Sequence, residues 1–215
     1  MPIQLNPEFK ISNEYKETSE RIERIEKAIK CILNKIGEFK VLDEKLVPQG
    51  LKPIARSIAW LVDQVVVQNL KKYEDVCGIE EVKEPPHDLV QYDCILKLRE
   101  DDTECFINVK TSLTATDRTG RFDISKADKL IELYEERPDL LLLVAIIVVD
   151  FDDVRVKFED LIVFNVAWVP EVYYNRANHN LQSRANGMQT PRSNQEFIEI
   201  LKQKMDEAGH LVHYS

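Results

Sequence analysis

The sequence predicts a mixed α/β domain with a central mixed β-sheet flanked by helices. Two helical patterns occupy the N-terminal third of the chain. Residues 92–112 then have the pattern of two strands joined by an acidic turn. Residues 140–149 form an aliphatic run without polar alternation, which is typical of a central strand covered on both faces. Helical patterns lie on both sides of these strands along the chain, and this order predicts a sheet flanked by helices.

The N-terminal third contains one amphipathic and one more apolar helical pattern. In residues 14–40, isoleucines recur at steps of three and four, as in a helix that faces the core or forms a dimer. Residues 53–73 are apolar enough to be buried on most sides. Asp63 interrupts that run, and a buried carboxylate is costly unless it is paired, hydrogen-bonded or bound to a metal. An alternative places Asp63 on the wet side, beside Arg56 or Lys71.

The strand pair at residues 92–112 carries the chemistry. Asp93 lies near the start of its first strand, and Asn108, Val109 and Lys110 lie near the end of its second. Side chains alternate between the faces of a strand, so Asn108 and Lys110 point the same way and Val109 points into the core. We therefore expect a carboxylate, an amide and an ammonium group within reach of one another, a set that could bind a divalent cation and a phosphate.

The segment after residue 112 is polar and rich in turn-forming residues. It is either a surface loop or a loop that closes over a phosphate backbone, and in the second case Arg118 and Arg121 would contact phosphates. Ser125 is expected to cap a helix over residues 126–136. Further strands are predicted at residues 154–158 and 161–169.

Residues 170–191 are poor in aliphatic side chains and rich in Asn, Gln and Arg. These side chains have the donors and acceptors that recognise base edges, although a plain polar loop has a similar composition. The candidate base contacts are Arg176, Asn178, Gln182 and Arg184. Ser193 and Glu196 have the spacing of a capping box that opens a final helix over residues 197–208.

Composition limits the classes of function. The chain has 215 residues, of which 44% are hydrophobic and 31% charged, the balance of an ordinary globular protein. Its net charge of −9 argues against nonspecific packaging of nucleic acid, but a metal-dependent nuclease needs carboxylates and only local basic residues. The four cysteines form no C-x-x-C pair, which argues against structural zinc. Without an apolar signal core or membrane-length run, we expect a cytoplasmic protein.

A strand-borne Asp, a turn and an acid-x-Lys triplet form the motif of the PD-(D/E)xK nucleases, which include many type II restriction endonucleases. Residues 53–170 resemble that family. Asp93 matches the first acidic position and Lys110 the lysine, and Asp63 matches an acidic residue that several members carry on a helix before the sheet. Asp88 competes for the first position, but it follows a diproline turn rather than lying in the strand.

The resemblance implies a Mg²⁺-dependent endonuclease that hydrolyses a specific double-stranded DNA site, most simply as a homodimer. Mg²⁺ would be held by Asp93, Asp63, Asn108 and the carbonyl of Val109, while Lys110 would position the attacking water. The expected organisation is a helical arm with a dimerisation role at residues 1–52, a nuclease-like core at 53–170 and a recognition segment at 171–215. These regions would form one structural domain.

Asn108 departs from the family pattern, which has Asp or Glu at this position. Three explanations stay open: a natural Asn with Asp63 supplying the missing charge, an inactive form carrying Asn in place of an acid, or a domain that lost catalysis and kept DNA binding. Two alternatives to an enzyme follow. One is a noncatalytic DNA-binding module with a nuclease-like fold, and the other is an acidic protein-interaction domain that uses the isoleucine stripe.

Overall fold

The computed structural model describes residues 13–43, 45, 55–87, 90–114, 121–152, 154–184 and 188–210. The helices in these ranges are α1 (Asn13–Ile36), α2 (Ala55–Lys72), α3 (Ala127–Glu136) and α4 (Asn194–Glu207). The strands are β1 (Phe39–Lys40), β2 (Ile79–Lys83), β3 (Cys94–Leu98), β4 (Glu104–Leu113), β5 (Phe122–Lys126), β6 (Leu141–Asp152), β7 (Arg155–Asn165), β8 (Tyr173–Asn175) and β9 (Asn180–Ser183).

The larger sheet has six strands in the order β1-β7-β6-β4-β3-β2. Strands β4 and β6 run parallel, joined through β5 and helix α3, and the other neighbours are antiparallel. The predicted fold class is therefore confirmed as mixed α+β with a central mixed sheet flanked by helices. Helix α2, the strand pair β3–β4 and helix α3 follow one another in the order that the family resemblance implies.

Strand β4 is covered on both faces. Thr111 bonds to helix α2, whereas the guanidinium of Arg137, just after α3, lies 5.1 Å from the centre of the Phe106 ring. Because side chains alternate along a strand, Thr111 and Phe106 lie on opposite faces of the sheet. Helix α1 packs against α2 and β7, while α3 packs against α4. The sheet thus separates two helical layers.

The isoleucine stripe of α1 faces the core of its own chain. Ile22, Ile25, Ile29 and Ile32 are at most 1% exposed, so the core-facing alternative is confirmed. The same burial makes the stripe wrong as a protein-interaction surface. Helix α1 also ends at Ile36 rather than residue 40, because Gly37 adopts a positive φ of 66° that terminates the helix.

A second sheet, in the order β5-β9-β8, was not predicted. The polar segment after residue 112 contains β5, and residues 170–191 contain β8 and β9. Ser125 lies within β5, so its predicted role as helix cap is wrong: Lys126 is the N-cap and makes no capping side-chain bond. The two strands predicted at residues 154–158 and 161–169 are replaced by the single strand β7 and a short 3₁₀ turn at Val166–Trp168.

The four cysteines have two different environments. Cys31 of α1 and Cys77 before β2 form a disulfide that the sequence analysis did not anticipate. Cys94 and Cys105 are buried free thiols, as predicted, and burial raises the pKa of each to about 12. Among the described residues, no helix combines the length and apolarity needed to cross a membrane.

Candidate active site

The candidate site forms where β3 separates from β4. The last backbone bond of that pairing runs from the Asp93 N–H to the Ile107 carbonyl, at 2.8 Å. Beyond it, side chains replace the strand ladder: the Val109 N–H donates to Asp93 Oδ2 at 2.7 Å, and Asn108 Nδ2 donates to the Gln91 carbonyl at 2.9 Å. Asp93 and Asn108 therefore line the edge of β4 that β3 leaves open.

Asp63 reaches the same part of β4 from helix α2. Its Oδ1 accepts a hydrogen bond of 2.7 Å from the Thr111 hydroxyl. Burial, assisted by the negative charge of Asp93, raises the pKa of Asp63 to about 6, against opposing effects of Thr111 and Lys110. Asp63 is thus the hydrogen-bonded carboxylate of the first alternative, although it is only partly buried, while Lys71 pairs with Glu84 at 3.1 Å.

Both carboxylates lie where their negative charge is unfavourable. Burial also raises the pKa of Asp93, although the Val109 N–H and the charge of Lys110 lower it. The hydrogen bond of each carboxylate involves one oxygen, Oδ1 of Asp63 and Oδ2 of Asp93. Each has a second oxygen that can accept. A cation beside two partly buried carboxylates would stabilise their charged forms.

Asn108 has a buried oxygen without a donor. The residue is 6% exposed, and its Oδ1 has no hydrogen-bond partner in the part of the chain that the structure describes. Its orientation follows from Gln91, because a flipped amide would put Oδ1 against the Gln91 carbonyl. Buried polar atoms are rarely left unpaired, and an amide oxygen is a suitable ligand for a hard cation such as Mg²⁺.

Val109 is the fourth residue of the predicted Mg²⁺-binding set, through its backbone carbonyl. Its side chain is 2% exposed, as predicted for a core residue, and its N–H points to the side of β4 that faces Asp93. In a strand, the N–H and C=O of one residue point toward the same neighbour. The Val109 carbonyl therefore also faces the open edge.

Lys110 shares a face of β4 with Asn108, because β4 pairs with β6 without a register shift. Its ammonium has no hydrogen-bond or ion-pair partner among the described residues, yet its charge lowers the pKa of both Asp63 and Asp93. Asp63 instead bonds to Thr111, which points to the opposite face. The groups thus surround the open edge of β4 rather than lying on one face.

The acid content of the site is low for a metal centre. Within the described ranges, no group of three or more His, Cys, Asp or Glu side chains is arranged to hold a metal ion. Any cation here would rely on two carboxylates together with neutral oxygens. The competing acid Asp88 lies outside the described residues.

The second sheet gathers five of the six predicted DNA contacts, and four of these five pair within it. Arg121 makes two hydrogen bonds to Glu171, through Nε at 3.1 Å and through Nη2, and it lies 4.0 Å from the centre of the Tyr173 ring. Arg184 Nε is 3.7 Å from the same Glu171. Both arginines are therefore already engaged by one carboxylate.

Two predicted base contacts also bind an acid. Asn178 Nδ2 donates to Asp123 at 3.0 Å, and Gln182 Nε2 donates to it at 2.6 Å. Arg176 is exposed in the turn between β8 and β9, and Arg118 lies outside the described residues. Among these candidates, Arg176 is the exposed arginine for which the structure shows no acidic partner.

Sequence reasoning missed the residues that connect these parts. Thr111 orients Asp63, and Gln91 accepts from Asn108 while its side chain hydrogen-bonds to Ser125 of β5. The alternation of side chains along β4 could have predicted that Thr111 and Lys110 lie on opposite faces of the sheet. Gln91 lies outside any strand, so no periodic pattern identifies it.

Comparison with known proteins finds structural similarity but no match in sequence. No family model matches the chain, and no curated protein matches its sequence. Among solved structures, the chain is similar to NlaIV restriction endonuclease, with a TM-score of 0.46 and 14% sequence identity. The alignment covers 94% of this chain and 89% of that one. At this level no residue role or activity is transferred, so the functional argument rests on the site itself.

Proposed function

We propose that this chain is a Mg²⁺-dependent endonuclease that hydrolyses phosphodiester bonds in double-stranded DNA at a specific site. One observation carries the proposal: two partly buried carboxylates, Asp63 and Asp93, interact electrostatically with Lys110, which has no bonded partner among the described residues, and Asn108 on the same strand has an unpaired buried amide oxygen. In a purely structural cluster, the buried oxygen of Asn108 would have a donor. A cation accounts for that oxygen and for the unfavourable charge of the carboxylates together.

Each group has a distinct proposed role. Asp93, Asp63, Asn108 Oδ1 and the Val109 carbonyl would hold Mg²⁺, which when bound polarises the phosphate and acidifies a water. Lys110 would orient the attacking water and offset charge on the phosphate. Arg176 would contact DNA directly. Arg121, Arg184, Asn178 and Gln182 would do so only after exchanging their acidic partners for DNA.

The test uses the wild-type chain and Asn108→Asp with supercoiled plasmid and Mg²⁺. We expect discrete fragments from Asn108→Asp, at a higher rate than from the wild type, and no fragments when EDTA replaces Mg²⁺. If two copies cut the two strands, the protein must also dimerise. Light scattering with and without DNA measures its molar mass and so tests for the dimer. An absence of metal-dependent cutting by both forms would contradict the proposal.

A noncatalytic DNA-binding module is the second candidate, and a specific observation favours it. Asp93 and Asn108 both bond to backbone groups that β3 no longer reaches, which is a sufficient structural role for each side chain. This candidate predicts salt-dependent DNA retention without cleavage, even after Asn108→Asp. Calorimetric titration with Mg²⁺ separates the two functions, because a purely structural cluster would release little heat.

A further inference from the structure

A cavity of about 560 Å³ lies at the other end of the parallel strands, away from the candidate active site. Its wall includes Thr103, just before β4, and Leu141, the first residue of β6. Lys110 lies seven positions further along β4, and at about 3.3 Å per residue the two places are roughly 20 Å apart. The cavity is therefore separate from the cluster around Asp63 and Asp93, and its volume suits a small organic ligand.

Arg192 contributes an unpaired cation to this cavity. Its Nη1 is buried and has no hydrogen-bond partner, and burial lowers the pKa of the guanidinium despite the charge of Glu196. The indole N–H of Trp168 donates to the Arg192 carbonyl at 3.0 Å, which fixes the backbone at this position. A buried guanidinium nitrogen without an acceptor is unfavourable unless an anion supplies one.

Tyr134 contributes an unpaired hydroxyl. The residue lines the cavity and is 1% exposed, and its hydroxyl has no hydrogen-bond partner. Its ring packs edge-on against Phe197 at 5.6 Å between centroids, so the neighbouring helix holds the side chain in position. Two independent residues that line the cavity, Tyr134 and Arg192, thus each carry a buried donor that has no acceptor among the described residues.

The start of α4 adds backbone donors. Ser193 and Glu196 cap each other, and they leave the N–H groups of Asn194 and Gln195 in the first turn without intrahelical acceptors. Asn194 and Gln195 both line the cavity. The helix N-terminus carries partial positive charge, so its end of the cavity favours a negative group.

The other charged groups on the wall do not supply that negative group. Arg21 is held by Asp101 at 2.8 Å, and Glu135 is held by Lys202 at 2.6 Å. Asp139 also lines the cavity but is exposed. The unpaired buried charge of the wall is that of Arg192, and an anionic ligand is the complement.

The remaining wall is aromatic and aliphatic. Trp168 and Tyr15 meet edge to face with centroids 5.8 Å apart, and Leu140 and Ile198 complete this side. We propose that the cavity binds a small organic oxyanion with a planar ring, whose phosphate or carboxylate accepts hydrogen bonds from Arg192, Tyr134 and the start of α4. The ring would lie against Trp168. This site is independent of the proposed nuclease activity.

The test follows the fluorescence of Trp168 in a Trp60→Phe background, because Trp60 is 68% exposed and would otherwise contribute signal. The probes are adenosine 5′-monophosphate for the phosphate class, benzoate for the carboxylate class and adenosine as the ring without an anion. We expect saturable binding of one oxyanion probe and at least tenfold weaker binding of adenosine. Calorimetry on the same samples gives the dissociation constant.

Two cavity variants and one control identify the binding groups. Arg192→Met should weaken the probe at least tenfold while raising the melting temperature, because it removes an unpaired buried charge. Tyr134→Phe should weaken the probe about threefold, the share of one neutral hydrogen bond. The control is Arg155→Met, which replaces an arginine of β7 that pairs with Glu38. It should leave binding unchanged.

Several outcomes would overturn the inference. Absence of saturable binding by every probe at millimolar concentration would exclude the site. Binding that Arg192→Met leaves intact, or adenosine that binds as tightly as its monophosphate, would show that no oxyanion is held there. A preference for the monophosphate over benzoate, or the reverse, assigns the class of anion.

Discussion

The edge of β4 and the second sheet contain the same kinds of polar side chain, but their pairing differs. At β4, an amide oxygen has no donor and a lysine has no acid within bonding distance among the described residues, and Asp63 has a raised pKa of about 6. In the second sheet, Asp123 and Glu171 pair with the amides and arginines around them, although Asn180 Oδ1 and Ser183 Oγ are also buried without a partner among the described residues. Polar groups that satisfy one another contribute to stability, whereas unsatisfied groups in a structured site suggest a missing partner.

Both regions have the composition of a binding site, but they differ in whether protein partners already hold the candidate residues. The candidate DNA-contacting residues of the second sheet must first leave protein partners, except for Arg176. The groups at β4 would gain partners when a ligand arrives. Replacing a carboxylate by its amide should therefore have opposite effects on stability at Asp63 and at Asp123.

The largest expected effect is on catalysis. Lys110→Met is made in the form that cuts DNA, either the wild type or Asn108→Asp. It should slow cleavage by about 100-fold or more, because it removes charge that would stabilise the transition state. Its stability should hardly change, since Lys110 has no bonded partner among the described residues. Lys97→Met on β3, which removes an ion pair with Glu80, is the matched control. A Lys110→Met protein that cuts at the parental rate would show that Lys110 has no role.

Asn108→Asp should make the metal-free protein less stable. It replaces a donor to the Gln91 carbonyl with a buried carboxylate oxygen, which costs about 1–3 kcal/mol of unfolding free energy. Mg²⁺ should restore part of the lost unfolding free energy, because the new carboxylate binds a cation more strongly than an amide does. Urea unfolding with and without Mg²⁺ measures both quantities. Equal Mg²⁺ effects on the wild type and the variant would contradict a cation site at Asn108.

Asp63→Asn should stabilise the metal-free protein at neutral and alkaline pH. The folded pKa of Asp63, about 6, is above its unfolded value of 3.8, so its contribution to stability is greatest below pH 3.8 and is lost as the pH rises to 6. At pH 8 the variant should gain about 2 kcal/mol of unfolding free energy, after discounting for partial exposure. The gain should shrink at pH 4.5.

Asp123→Asn is the matched substitution in the second sheet. It weakens the bonds from Asn178 and Gln182, so we expect a loss of about 1 kcal/mol rather than a gain. Urea unfolding at pH 8 compares the two variants directly. If both substitutions changed stability in the same direction, the contrast between the two regions would be wrong.

The smallest effect concerns DNA affinity. Glu171→Gln removes the carboxylate that holds Arg121 and Arg184, and surface ion pairs of this kind contribute about 0–1 kcal/mol. Stability should hardly change, while DNA binding should strengthen about threefold and depend more steeply on salt. Fluorescence anisotropy with labelled duplex DNA at two salt concentrations gives both numbers. Unchanged affinity and salt dependence would exclude these arginines as phosphate contacts.

Periodic apolar patterns allowed much of the fold to be predicted. The stripe of α1, helix α2, the strand pair β3–β4 and the buried strand β6 are visible because each buries a regular set of side chains. Helix α2 nevertheless buries a single stripe and leaves Trp60 68% exposed, so its predicted burial on most sides is wrong. The capping box of Ser193 and Glu196 is equally local and is confirmed. The second sheet was missed because its three strands are short and rich in polar side chains, so they lack a periodic apolar pattern.

The sequence by itself determined the mixed α+β class and the presence of Asp93, Asn108 and Lys110 on neighbouring strands, since both depend on local periodicity. Only the tertiary structure decided that Asp63 meets Thr111, 48 positions away, that Asn108 keeps an unpaired oxygen, and that Arg121 and Arg184 are held by Glu171. Pairing and burial depend on which distant groups the fold brings together. The groups at the edge of β4 can therefore be named from the sequence, but which of them lack partners depends on the fold.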